Sequence, residues 1–156
     1  MSYLTNSDII FCDIDDTIIT GWFTKVMYIT WELFRNNNLS DFLMATQEKF
    51  NLYKVRERLR YILNNTKADV VFLTVRKHNP ATRKMLVKIF PSLDFGLIEL
   101  GTDYGYLLKS NVVAEAIKDG KKNCILIDDS AKNRGWAADV GAMTFDPSLF
   151  DGDYLY

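Results

Sequence analysis

The sequence has few of the residues that bind soft metals or form disulfide bonds. It contains one histidine and two cysteines, and both Cys12 and Cys124 lie in short apolar runs typical of buried strands. This placement favours reduced structural thiols, and therefore a reducing compartment such as the cytoplasm, over a disulfide framework. The lack of a cysteine or histidine cluster also excludes the usual ligand sets for zinc.

The chain also lacks long apolar runs, repeats and linkers. No segment approaches the roughly 18 continuous apolar residues of a membrane span, and the N-terminal residues have no basic region that precedes an apolar stretch. We therefore expect a cytoplasmic protein with no membrane partner. No stretch rich in Pro, Gly or Ser divides the 156 residues, which predicts a single domain over 1–156. The net charge of -1 gives no general attraction to nucleic acid.

Short apolar runs alternate with segments of helical spacing. The predicted strands are Ile9–Cys12, Val70–Leu73, Gly96–Leu100 and Cys124–Ile127, with Ala142–Phe145 as a candidate fifth. The predicted helices are Thr24–Arg35, Leu39–Phe50, Tyr53–Leu63, Ala81–Phe90, Ser110–Lys118 and Lys132–Val140. Apolar runs without polar alternation are typical of parallel strands covered on both faces. The order predicts an α/β fold with a doubly wound, mainly parallel, Rossmann-like sheet and helices on both faces.

The stretch 21–66 is longer than one crossover requires, which predicts a small helical insert or cap after the first strand. Its first helix is apolar nearly all round over Val26–Phe34, and we expect burial against neighbouring helices rather than cover by a partner chain. Arg56, Arg58 and Arg60 lie on the last helix of the insert. For these arginines we favour a solvated face over a lip for an anionic substrate.

Polar residues follow three of the four clearest strands. Asp13, Asp15, Asp16 and Thr17 follow the first, Thr74 and Arg76 follow the second, and Asp128 and Asp129 follow Cys124–Ile127. The carboxyl ends of parallel strands border the crevice in which ligands bind. We therefore expect these residues to converge although they are distant in sequence.

Asp13 and Asp15 are the candidate catalytic pair. A carboxylate at a strand end can face substrate and metal, while another two positions later can transfer a proton. In the alternative interpretation these acids only end the strand, with Asp16 or Thr17 bonding local backbone amides in a turn. This segment alone leaves both interpretations open.

Asp128 and Asp129 form a candidate metal site. Neighbouring acids at a buried strand end repel each other unless a cation or hydrogen-bond donors offset their charge. Oxygen ligands suit Mg²⁺, which is the predicted cofactor. The pair can also begin the helix that follows at Ser130, and this role is compatible with metal binding.

Thr74, Arg76 and Lys109 are the candidate substrate-binding residues. A hydroxyl and a forked guanidinium directly after a buried strand suit phosphoryl oxygens. The ammonium group of Lys109 can neutralise charge on both a carboxylate nucleophile and a transferring phosphoryl group. An isolated lysine is more often an ordinary surface residue, so position in the whole pattern favours the functional role.

In their order along the chain, these residues resemble the motifs of the haloacid dehalogenase (HAD) superfamily. The segment Asp13–Thr17 is similar to its DxDxT motif, Thr74 to its Ser or Thr after the second strand, Lys109 to its lysine, and Asp128 with Asp129 to its acidic pair. The resemblance covers most of the chain. Several ordered motifs on predicted element ends are far more specific than any one of them.

The resemblance implies a magnesium-dependent phosphohydrolase. Asp13 would attack phosphorus to form an aspartyl-phosphate, and Asp15 would protonate the leaving group and then activate water. Thr74 and Lys109 would hold the phosphoryl oxygens. Phosphatases of the superfamily have an aspartate at the position of Asp15, unlike the dehalogenases, so phosphate-ester chemistry is favoured.

The resemblance also implies a ligand set for magnesium. The ion would be held by the side chains of Asp13 and Asp128 and the backbone carbonyl of Asp15, with Asp129 helping directly or through water. Asp16 departs from the commonest family pattern, in which glycine occupies this position.

The substrate is predicted less closely than the reaction. Thr74–Arg76, Ile127–Asp129, Trp136 and Gly141 are loosely similar to the phosphatase domain of polynucleotide kinase 3′-phosphatases, although the chain has no P-loop. A basic segment, Arg76–His78 with Arg83, Lys84 and Lys88, suits either a nucleic-acid backbone or a solvated helix face. The expected partner is a phosphorylated small molecule, such as a nucleotide, or a nucleic-acid 3′- or 5′-end. The alternatives are a small-metabolite phosphatase, a phosphotransferase and a non-catalytic HAD-like binding module, against which the presence of Asp13 and Asp15 argues.

Overall fold

A parallel sheet of five strands forms the centre of the computed structural model, which describes residues 4, 6–33, 39–101 and 105–152. In chain order the strands are β1 (Ile9–Cys12), β2 (Ile19–Thr20), β3 (Lys54–Val55), β4 (Asp69–Thr74), β5 (Phe95–Glu99), β6 (Cys124–Ile127) and β7 (Met143–Phe145). The order in the large sheet is β5-β4-β1-β6-β7, with every neighbouring pair parallel. The chain adds strands to one side of β1 and then to the other, so the strand order reverses at β1.

Six helices of the described residues connect or cover these strands. They are α1 (Trp22–Leu33), α2 (Leu39–Lys49), α3 (Glu57–Asn65), α4 (Pro80–Ile89), α5 (Gly105–Lys118) and α6 (Ala131–Asp139), and a 3-10 helix spans Pro147–Phe150. Two helix starts have clear local causes: the side chain of Asn79 caps α4 just before Pro80, and the side chain of Ser130 caps α6. Within the described ranges, no helix has the length and apolar character needed to cross a membrane.

The sheet places its side chains alternately into two apolar cores. On one face, Ile10 belongs to the same buried cluster as Leu63 of α3 and Leu86 of α4. On the other face, Phe11 clusters with Val113 of α5 and with Ala137 of α6. Helices therefore cover both faces, which explains why the strands lack polar alternation. The predicted α/β fold with a Rossmann-like parallel sheet is confirmed.

The helices of the 21–66 stretch lie in two places. Helix α3 packs against the sheet, with Leu59 and Leu63 in the main core. Helices α1 and α2 contact each other, and α2 also contacts α4. In the sequence these two helices come between the short antiparallel strands β2 and β3. We call α1 and α2 together the helical insert.

The expectation that the first helix of the insert is buried is wrong for most of the described side chains of α1. Trp22, Tyr28 and Ile29 are 68%, 65% and 56% exposed, whereas Phe23 and Thr24 are buried. Helix α1 therefore has more apolar surface than the described neighbouring residues cover. Phe34, which the prediction included, lies outside the described residues.

Candidate active site

A cleft of about 580 Å³ lies at the carboxyl ends of β1, β4 and β6. The charged part of its lining consists mainly of Asp13, Asp15, Arg76, Lys109, Asp128 and Asp129. The helical insert contributes Met27 and Met44 to the opposite side. The structure thus brings together the predicted site residues at the point of strand reversal, with Thr74 as the exception.

Lys109 is buried between two of the predicted site acids. Its Nζ lies 3.0 Å from Asp13 Oδ1 and 2.7 Å from Asp128 Oδ2, and the residue is 1% exposed. Burial lowers the pKa of Lys109, but the charges of Asp13 and Asp128 outweigh it and raise the pKa above its ordinary value. The alternative of an ordinary surface lysine is therefore wrong, because this ammonium group is fixed and charged beside two carboxylates.

Three carboxylates surround one end of the cleft. Asp13, Asp128 and Asp129 each offer an oxygen atom, and these oxygens lie within 4.8 Å of one another. Burial, followed by the charge of Asp128, raises the pKa of Asp13 well above its usual range. Burial also raises the pKa of Asp129. Negative charge is concentrated here beyond what Lys109 balances, and a hard divalent cation with oxygen ligands suits this donor set.

Backbone and hydroxyl contacts fix the acids in place. The backbone N–H of Asp13 donates to Ile127 O at 2.9 Å, which extends the pairing of β1 with β6 by one residue. The buried Thr17 hydroxyl lies 3.3 Å from Asp13 Oδ2 and 3.4 Å from Asp129 Oδ1, and it accepts from the Asp129 N–H at 3.2 Å. A hydroxyl has one proton, so it donates to one of these two carboxylates at a time.

The loop after β1 makes a tight turn at Asp16. Asp16 has a φ of 57°, in the left-handed region that favours glycine. Glycine would adopt this conformation at a lower steric cost than Asp16 does. The adjacent Thr17 N–H donates to Ile14 O at 3.2 Å and closes the turn.

Arg56 supports this loop from behind, which corrects the expectation of a solvated face for this arginine. Its Nε donates to Thr17 O at 2.8 Å, its Nη2 to Asp16 O at 3.4 Å, and its Nη1 to Pro147 O at 2.9 Å. Only 10% of the side chain is exposed. Arg56 immediately precedes α3, and its guanidinium satisfies backbone carbonyls of the loop after β1 instead of facing solvent.

Arg76 forms a forked ion pair with Asp15. Its Nε donates to Asp15 Oδ2 at 2.9 Å and its Nη2 to Asp15 Oδ1 at 2.7 Å. The guanidinium also donates to Gln47 Oε1 at 2.8 Å and to Thr82 Oγ1 at 3.3 Å. Burial lowers the pKa of Arg76, but the neighbouring Asp15 more than offsets this effect and raises it.

Thr74 is fully buried and is not part of the cleft lining. Its Oγ1 accepts a hydrogen bond from the Arg76 backbone N–H at 3.2 Å, so the hydroxyl closes the turn after β4. Contact between Thr74 and a substrate phosphoryl group therefore stays a prediction.

Asn133 and Gln47 are polar residues of the site that were not singled out from sequence. Asn133 donates to Asp128 Oδ2 at 3.1 Å from the first turn of α6, and Gln47 contacts Arg76 from α2. The signal for Asn133 was its place just after the Ser130 helix start, since side chains there point back toward the helix N-terminus. For Gln47 the signal was weak: it lies three positions after Met44, on the same face of a helix.

Acids contact several members of the basic segment. Lys77 pairs with Asp41 at 3.1 Å, His78 contacts Glu99 at 3.1 Å, and Lys88 pairs with Glu48 at 2.9 Å. These contacts reduce the positive field that a nucleic-acid backbone would experience. Arg76, the first residue of the segment, is buried and fits neither interpretation; for the other members with acidic partners, a solvated face is the better supported of the two.

A scan against protein-family models gives no match for this chain, and a search of the curated proteins gives none either.

Proposed function

We propose that the chain is a magnesium-dependent phosphomonoester hydrolase of the HAD type that works through an aspartyl-phosphate. The observation that carries this proposal is the position of the Asp13 carboxylate at the end of β1. It lines the cleft, lies 3.0 Å from the Lys109 ammonium group, and is close to the carboxylates of Asp128 and Asp129. Asp15, two positions later, lines the same cleft.

The proposed reaction has two steps. A carboxylate oxygen of Asp13 attacks phosphorus, the bond between phosphorus and the leaving-group oxygen breaks, and Asp15 gives that oxygen a proton. Water then attacks the aspartyl-phosphate while Asp15 accepts the proton, which releases inorganic phosphate and restores Asp13. Lys109 supports both steps because its charge offsets that of Asp13 and of the transferring phosphoryl oxygens.

The proposed ligands for magnesium are the carboxylates of Asp13, Asp128 and Asp129 with the backbone carbonyl of Asp15. The donor set consists of oxygen atoms, and the spacing of the three carboxylates supports one shared ion. When bound, the ion supplies positive charge at the transferring phosphoryl group.

The cleft favours a small phosphomonoester of nucleotide size over a long polymer end. Its volume of about 580 Å³ lies within the range of small-molecule sites. Met27, Met44 and Tyr106 provide apolar and aromatic lining for the part of the substrate that carries no phosphate. The contacts between the basic segment and nearby acids also favour the smaller substrate.

The test is magnesium-dependent release of phosphate from a panel of an aryl phosphate, nucleoside monophosphates, sugar phosphates and 3′- or 5′-phosphorylated oligonucleotides. Wild type is expected to release phosphate most rapidly from a nucleoside monophosphate, and Asp13→Asn is expected to release none. Asp119→Asn is the matched control, since Asp119 is exposed and does not line the cleft. An active Asp13→Asn protein would refute the nucleophile. Transfer of phosphate to an added alcohol in preference to water would instead indicate a phosphotransferase.

A further inference from the structure

The guanidinium of Arg76 is largely committed to protein acceptors rather than to the cleft. Two of its N–H groups bond the carboxylate of Asp15, one bonds Gln47 and one bonds Thr82. These bonds use four of the five N–H groups that an arginine has. A phosphoryl group would have to displace some of them before Arg76 could bind it with a fork.

Both members of the pair line the cleft, but they differ in exposure. The Asp15 side chain is 32% exposed, whereas that of Arg76 is 5% exposed. Arg76 is therefore the more deeply buried member of the pair. Because a planar guanidinium bonds both carboxylate oxygens, the fork restricts the rotation of the carboxylate as well as its position.

Gln47 ties this fork to the helical insert. Its Oε1 accepts from Arg76 Nη2 at 2.8 Å, and its Nε2 donates to Thr24 Oγ1 at 3.4 Å. Gln47 and Thr24 are both buried, and they come from α2 and α1. A continuous set of polar contacts thus runs from the insert through Arg76 to the carboxylate that faces the cleft.

We infer that Arg76 and Gln47 are positioning residues that hold the Asp15 carboxylate against the leaving-group oxygen. The inference rests on the proposed function, and it gives Arg76 a role other than phosphate binding. The helical insert then controls proton transfer by Asp15, while attack by Asp13 is independent of it. Loss of Gln47 should consequently slow the reaction most for substrates whose leaving group needs a proton.

Two esters separate these effects. p-Nitrophenyl phosphate releases a phenolate that leaves without a proton, whereas benzyl phosphate releases an alkoxide that requires one. For Gln47→Leu we expect kcat/KM, which reports the steps up to formation of the aspartyl-phosphate, to fall about tenfold or more on benzyl phosphate and to change little on p-nitrophenyl phosphate. Hydrolysis of the aspartyl-phosphate is the same step for both esters, so poorer proton acceptance by Asp15 there lowers kcat on both. Gln47→Glu retains an oxygen acceptor for Arg76 and should restore the rate on benzyl phosphate.

Two controls frame the comparison. Thr46→Ala alters a half-buried neighbour on α2 whose hydroxyl bonds within its own helix, and it should behave like wild type on both esters. Asp15→Asn should show the same preference for p-nitrophenyl phosphate as Gln47→Leu. The variant that combines Asp15→Asn with Gln47→Leu should lose no more activity than Asp15→Asn alone.

Equal losses of kcat/KM on the two esters would overturn the positioning role and favour phosphate binding by Arg76. In that case the proposed function still stands if wild type is active and Asp13→Asn is inactive. Inactivity of folded wild type on both esters and on the whole panel given above would refute the proposed function and the positioning role with it.

Thermal unfolding tests the contact without any turnover. The melting temperatures of Gln47→Leu, Arg76→Met and the double variant should be non-additive, with the double variant close to Arg76→Met. Additive shifts would show that Gln47 and Arg76 are uncoupled in solution, and would also overturn the inference.

Discussion

Replacing Lys109 by methionine removes the ammonium group between Asp13 and Asp128 while keeping a side chain of similar length. Lys109 and Asp128 are 1% and 0% exposed, so solvent cannot replace the lost charge easily. Removal of one partner from a buried ion pair costs about 3–5 kcal/mol, because the remaining charge is left without compensation. In a domain of 156 residues, each 1 kcal/mol lowers the melting temperature by about 2–4 °C, which gives an expected fall of about 6–20 °C.

The measurement is thermal unfolding followed by circular dichroism, at neutral pH with a chelator present. Lys121→Met is the matched control, since the Lys121–Asp69 pair has the same chemistry but is 44% and 67% exposed. Exposed pairs of this kind contribute little, so the control should melt near the wild-type temperature. If Lys109→Met melts at the same temperature as Lys121→Met, the conclusion that Lys109 balances buried carboxylate charge in the cleft is refuted.

The same variant has a predictable response to pH. Burial and Asp128 raise the folded pKa of Asp13 above its ordinary value of 3.8, while Lys109 lowers it. The native state therefore binds a proton on Asp13 more readily than the unfolded state does. Ionised Asp13 consequently destabilises the folded protein, and this effect grows as pH rises from 3.8 toward the raised pKa. Without the positive charge of Lys109, the destabilisation by ionised Asp13 should be larger. The stability gap between wild type and Lys109→Met should consequently narrow as pH falls, and a gap that widens on acidification would contradict this assignment.

Substitutions at three further positions test the end of β1 and the loop after it. Asp13→Asn should lower kcat by about 1,000-fold or more in a folded protein, measured as phosphate release. Asp16→Gly should be more stable than Asp16→Ala by about 1 kcal/mol in urea unfolding, because φ at this position is 57°; equal stabilities would contradict the left-handed turn. Thr17→Val should lose about 1–3 kcal/mol and weaken magnesium binding about tenfold, since the Asp129 N–H loses its acceptor. Calorimetric titration with magnesium measures the second effect, and wild-type affinity in this variant would argue against a shared positioning hydroxyl.

The large sheet was predictable because its strands are covered on both faces. Unbroken apolar runs such as Ile9–Cys12 and Cys124–Ile127 leave few alternatives to a buried parallel strand. Strands β2 and β3 were missed, since each has two residues and no periodic pattern can form over that length. Tyr53 was predicted to begin a helix, but β3 occupies Lys54–Val55 and α3 begins at Glu57.

Helix α1 shows the limit of hydrophobic periodicity. The pattern identifies which residues are apolar, but it carries no information on what covers them. Val26, Tyr28 and Ile29 are apolar or aromatic in sequence, yet each is exposed among the described residues. The burial of these side chains depends on tertiary packing, which the sequence pattern does not predict.

The convergence of the site acids was predictable, because a parallel sheet brings the carboxyl ends of its strands together. Lys109 was assigned through its place in the motif order, whereas its burial depends on the packing of α5 behind the cleft. The contact of Arg56 with Asp16 O and the contact of Gln47 with Arg76 span 40 and 29 residues. Such contacts follow from tertiary geometry, and no local pattern in the chain encodes them.

Two arginines hold the loop after β1 from different sides. Arg56 bonds the backbone carbonyls of Asp16 and Thr17, while Arg76 bonds the carboxylate of Asp15. The backbone contacts leave the Asp15 side chain free to rotate, and the fork from Arg76 removes that freedom. A proton donor contributes most when its geometry is set before the reaction. The motif at β1 therefore provides the acids, but the orientation of the second acid depends on Arg76 and on the insert that contacts it.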